Sequence, residues 1–150
     1  MVTTPIKALM LFFLCGALAE DVVICVLSWW RPELWFHLLH QADPQGFDVA
    51  LLRRAGGQWA AFALVQAIAL LRWRTQPLWL VIVAGARISD LFTDLSYIAA
   101  VPSLTPFGWV ALTPLAFLNL AFAATMMVAW RQATAPAGPS TKKDARRGRA

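Results

Sequence analysis

Arg87, Asp90 and Asp94 stand in the middle of an apolar stretch, residues 77–100, that has the length of a membrane-spanning helix. At 100° per residue, steps of three and four keep these side chains within about a 60° arc, on one helix face. An ionisable side chain at mid-membrane depth costs roughly 2.5–3.5 kcal/mol, so such residues face a packed interior or a wet cavity. Two kinds of chemistry suit this face. The arginine and the aspartates can pair and lock helix packing, or the acids can hold a cation, a polar ligand head or a proton.

More acids join them. Glu20 and Asp21 interrupt the first apolar block, which gives four acids against one deep base, Arg87. Four ionised and unpaired carboxylates would be costly in an apolar setting, so one or more could carry a proton. The residues expected to bind a ligand or carry a proton are therefore Asp90, Asp94, Arg87, Glu20 and Asp21. Arg53, Arg54, Gln58, Gln66, Asn119 and Tyr97 form the expected supporting polar network, with Arg53 or Arg54 available to hold Asp94.

The elements that must position these groups are read from composition. The chain has 150 residues, 59% hydrophobic, with a mean hydropathy of +0.60. Its apolar residues gather in four blocks, about 5–27, 55–71, 77–100 and 108–130, each within the ~17–25 residues of a spanning helix. The expected fold is all-α: an integral membrane antiparallel four-helix bundle. A soluble all-α domain is the competing reading, disfavoured because Ala60 to Leu71 is apolar nearly all round. Residues 101–107 form a short hairpin connection, and Pro114 should kink the last helix. The long connection between the first two spans, Ser28 to Arg54, carries an amphipathic helix at about 32–41. Its apolar side is Leu34, Trp35, Leu38 and Leu39, and it should lie in the membrane interface.

The net charge of +5 is no sign of nucleic-acid binding, since five of the thirteen basic residues fall in the tail 132–150. That tail, rich in Ala, Pro, Gly, Ser and Thr, is expected to be disordered. With four spans, Lys7, Arg72, Arg74, Arg131 and the tail place nine basic residues on one side; Arg31, Arg53 and Arg54 place three on the other. The positive-inside rule puts both termini in the cytoplasm, with a bacterial inner membrane as the expected location. Counting depth at 1.5 Å per residue then brings Glu20, Asp21, Asp90 and Asp94 into the outer half, with Gln66 and Asn119 beneath.

Other motifs are weaker. Glu33, His37 and His40, at i, i+4 and i+7, form a candidate metal set that a solvated polar face explains equally well. No cofactor is expected. Cys15 and Cys25 lie about 15 Å apart along one helix and cannot bridge within the chain. Most of the eight tryptophans fall near span ends as an aromatic belt, leaving Trp59 and Trp79 able to reach an apolar ligand. Gly56 and Gly57 read as a close helix contact.

The run Leu52-Arg53-Arg54-Ala55-Gly56-Gly57 before the second span, with an Arg and an Asp in the third, resembles small DoxX-like four-helix membrane proteins. The resemblance implies a compact bundle with Arg53, Arg54, Arg87 and Asp90 at matching positions. It also implies a role as accessory subunit of a membrane redox complex, in the way of the subunit associated with a quinone-reducing sulfur oxidoreductase. Arg31-Pro32-Glu33-Leu34-Trp35, after an acid-bearing first helix, is similar to the EXPERA-domain group of sterol isomerases and the sigma-2 receptor. That likeness implies membrane-embedded acids holding a cationic or sterol-like ligand, although this chain has no acid in its second span. The leading expectation is a non-enzymatic membrane protein holding a small lipophilic or cationic ligand, with the bilayer and a partner subunit or second copy as partners. A carboxylate-dependent sterol or lipid isomerase and a purely structural subunit are the alternatives.

Overall fold

The structure, a computed structural model, describes residues 2–136, and these contain five helices and no strand. They are α1 (Thr4–Trp30), α2 (Pro32–His40), α3 (Gly46–Arg72), α4 (Leu78–Ala100) and α5 (Pro106–Thr134). Prolines at the first turns of α1, α2 and α5 start those helices where a missing N–H costs nothing. Thr105 caps α5, its hydroxyl accepting from the Gly108 N–H at 2.9 Å. Among the described residues, α1 and α5 are the helices long and apolar enough to cross a membrane by length and composition. Their most apolar windows have a mean hydropathy of 2.3 and 1.7.

The four long helices pack in a ring. α1 rests chiefly on α3 and α4 chiefly on α5, and the ring is closed by α3 against α4 and α1 against α5. The diagonal pairs, α1 with α4 and α3 with α5, do not meet backbone to backbone. The start of α1 and the end of α5 share one end of the ring, where the Gln132 side-chain oxygen accepts from the Thr3 backbone N–H at 2.8 Å. Near that end the interior is apolar and close-packed. Met10, Leu14, Ala69, Leu80, Val83, Met126 and Ala129 include both large and small side chains, and together they exclude solvent.

The other end is closed by α2. Thr105 staples it: its backbone N–H donates to the Leu39 carbonyl at 2.8 Å and its hydroxyl to the Leu38 carbonyl at 2.6 Å. His40 adds two contacts, one ring nitrogen to the Ser103 carbonyl and the other to the Tyr97 hydroxyl. Two glycines permit close approach here. A Cβ on Gly56 would collide with Ser28 Oγ and stand 2.7 Å from the Trp29 ring, and one on Gly108 would stand 3.0 Å from the Leu39 carbonyl.

Several boundaries differ from expectation. α3 begins at Gly46 rather than Ala55, because Asp48 accepts the Gln45 backbone N–H at 2.9 Å and starts the helix in the expected loop. α1 runs on to Trp30, so the long first connection is mostly helical. α5 includes Pro114 and ends at Thr134, inside the segment expected to be disordered. The rest of that tail, 137–150, lies outside the described residues.

Candidate functional site

Arg87 is the organising residue. Only 1% of it is exposed, and its guanidinium lies between the rings of Phe62 and Phe122, 5.4 and 5.7 Å from their centroids. One terminal nitrogen, Nη1, donates to Asp90 Oδ2 at 3.1 Å and to Asn119 Oδ1 at 3.5 Å. The other, Nη2, pairs with Asp21 Oδ2, which also accepts from Gln66 Nε2 at 2.6 Å. Asn119 Nδ2 in turn reaches Asp90 Oδ2 at 3.3 Å and Asp94 Oδ2 at 3.4 Å.

This web joins all four long helices at one level. Asp21 comes from α1, Gln66 from α3, Arg87 and Asp90 from α4, and Asn119 from α5. The Arg87–Asp21 pair spans the diagonal of the ring, where no backbone contact exists. A long side chain ending in a forked donor can bridge such a gap. Asp21 Oδ1, Gln66 Oε1 and Arg87 Nε are buried and take no hydrogen bond among the described residues.

Between the web and α2 lies a cavity of about 540 Å³, within the usual size range of small-molecule sites. Its deep end carries Glu20, Asp90, Asp94 and Asn119, and leucines of α1, α3 and α5 form its walls. α2 supplies the roof through Trp35, Phe36, Leu38 and Leu39, and Trp59 of α3 packs on Trp35 with ring centroids 5.2 Å apart. The lining is therefore apolar over most of its area, with Glu20, Asp90 and Asp94 beside the web and Asp48 at the first turn of α3.

The acids fall into two groups. Asp21 and Asp90 are committed to Arg87. Glu20 and Asp94, both half-buried on the cavity wall, form no ion pair among the described residues. Asp94 has one long contact, to Asn119.

Of the residues expected at the site, Glu20, Asp21, Gln66, Arg87, Asp90, Asp94 and Asn119 converge. Tyr97 lines the cavity and is tied to His40. Arg53, Arg54 and Gln58 do not join them, and all three are exposed. Their depth is right but their direction is wrong: the inward face of α3 runs through Leu52, Gly56, Ala63 and Gln66. At 100° per residue, Arg53, Arg54 and Gln58 all fall more than 90° from the centre of that face. Asp94 is accordingly not held by Arg53 or Arg54. The metal candidate also comes apart. Glu33 and His37 are exposed, His40 is engaged by Ser103 and Tyr97, and no group able to hold a metal occurs among the described residues. Trp59 reaches the cavity, whereas Trp79 packs against the apolar core and donates to Gln76 at 3.0 Å.

Three features escaped the sequence reading. Phe62 and Phe122 flank Arg87, and helical spacing could have found them: Phe62 lies four residues before Gln66, and Phe122 three after Asn119. The third is the roof. The amphipathic pattern of α2 is visible in the sequence, but its apolar face turns onto a cavity of the protein itself. Comparison with family models, curated proteins and solved structures finds no match to this chain.

Proposed function

We propose that this chain is a four-span integral membrane protein, crossed by α1, α3, α4 and α5, that holds a small lipophilic cation in the cavity beneath α2. The ligand's apolar body would lie among Trp35, Trp59 and the leucines, with its positive charge on Glu20 and Asp94. The observation that carries this reading is the pair of acids, Glu20 and Asp94, that line a largely apolar cavity and form no ion pair among the described residues. A desolvated carboxylate without a cation is costly, and a cationic ligand would relieve that cost.

The membrane part rests on where apolar side chains go. Phe12, Leu64, Phe92, Val110 and Phe117, one or more on each long helix, are all more than 60% exposed. Such a belt suits lipid better than water. The charged web, by contrast, is turned inward, as intramembrane ionisable residues are. Basic residues Lys7, Arg72, Arg74 and Arg131 gather at the end where α1 starts and α5 finishes, which favours a cytoplasmic position for that end. The cavity then sits in the outer half of the membrane.

A structural role also has its own support, on different residues. The Asp21–Gln66–Arg87–Asp90–Asn119 web ties four helices and is suited to fixing their arrangement. We assign it that role and assign Glu20 and Asp94 the ligand. The test is binding of radiolabelled benzyldimethylethylammonium to the full chain in detergent. Wild type should bind it saturably, and Asp94→Asn should bind at least about ten-fold more weakly, the order of effect expected for a charge-assisted contact. A wild-type protein that binds no such cation contradicts the proposal.

A further inference from the structure

A second, smaller cavity of about 150 Å³ opens along the seam between α1 and α5. Phe12, Phe13 and Gly16 line it from α1, and Leu118 and Phe122 from α5. It shares Glu20, Leu115 and Asn119 with the large cavity, so the two meet at the same carboxylate. We propose that this groove is a subsite for an unbranched alkyl arm of the same ligand, which would be an ammonium ion carrying a bulky apolar group and a slim chain. This rests on the proposed cation site.

Charge and shape both support that occupant. Glu20 stands at the junction, where the charged centre of such a molecule would lie, and forms no ion pair among the described residues. Phe13 and Phe122, stacked with centroids 5.2 Å apart and planes within 10°, form one apolar side. Gly16 leaves its part of the lining open: a Cβ there would meet no atom within 4 Å. The groove has under a third of the large cavity's volume, which suits a chain and leaves the larger apolar group to the large cavity. Phe12 and Gly16 are exposed at its edge, so the arm can pass between the helices to the lipid.

The experiment uses the full chain in lipid nanodiscs with two probes, benzyldimethylethylammonium and benzyldimethylhexylammonium, the second also made with a diazirine at its alkyl end. Photolabel should fall on Phe12 to Gly16 and on Leu118, and excess ethyl probe should compete it away. Gly16→Phe should weaken the hexyl probe about ten-fold and leave the ethyl probe unchanged, because the filled groove rejects only the chain. Gly16→Ala should keep both. Label confined to α2, or equal hexyl binding by Gly16→Phe and wild type, overturns the subsite while the cation site stands. Failure of wild type to bind either probe overturns the cation site and the subsite with it. The labelling is read on wild type and does not depend on how the variant folds.

Discussion

The two ends of the helix ring are built from the same four helices and pack in opposite ways. At the end where α1 starts and α5 finishes, Leu14, Leu80, Met126 and Ala129 are fully enclosed and the helices approach closely. At the α2 end the same helices stand apart around a cavity of about 540 Å³. The change happens at the level of Arg87. Below it, small residues such as Ala69, Ala84 and Ala123 let the helices close. Above it, α2 rests across the opening and Thr105 and His40 hold it there. The cavity is thus a local construction with a floor, walls and a fastened roof. Loose packing throughout would not leave the other half so well filled.

That contrast makes unequal predictions. Arg87→Met should have the largest effect on stability, about 3–5 kcal/mol, because Asp21 and Asp90 lose their buried partner. Thermal unfolding should register it, and adding Asp21→Asn and Asp90→Asn should restore part of the loss. Met126→Ala, in the filled half, should cost about 2–5 kcal/mol through the void it leaves. The equivalent trim at the cavity wall, Leu112→Ala, should cost under about 1 kcal/mol, since its neighbours already face open space. Equal losses in the two halves would erase the comparison. Thr105→Val should cost about 0.5–2 kcal/mol as a lost helix cap. It should also raise hydrogen exchange in α2 while leaving Leu14 and its neighbours protected.

How much of this was legible in the sequence depended on which coordinate was being read. Depth along a helix follows from residue counting, so the meeting of Glu20, Asp21, Arg87, Asp90, Asp94, Gln66 and Asn119 could be anticipated. Direction around a helix needs its inward face, and in α3 that face is marked, apart from Leu52, by small or polar residues such as Gly56, Ala63 and Gln66. Arg53, Arg54 and Gln58 were misplaced for that reason. Helix type was clear in apolar blocks and unclear in 46–54, where a start signal at Gln45 and Asp48 resembles a turn. The roof was the hardest to foresee. An amphipathic segment shows which side is apolar but not whether lipid or protein covers it.

The central claim is a division of labour among four acids: Asp21 and Asp90 hold the fold with Arg87, and Glu20 and Asp94 hold the ligand. It is tested most directly by measuring cation binding and thermal unfolding together on Asp94→Asn and Asp21→Asn. The account expects Asp94→Asn to lose binding and unfold within about 0.5 kcal/mol of wild type, since its contact to Asn119 is long and its side chain meets no cation. Asp21→Asn should be the less stable of the two, because Arg87 then loses the ion pair that crosses the ring. An Asp94→Asn protein that binds as wild type does, with its stability lowered as much as that of Asp21→Asn, would contradict the account.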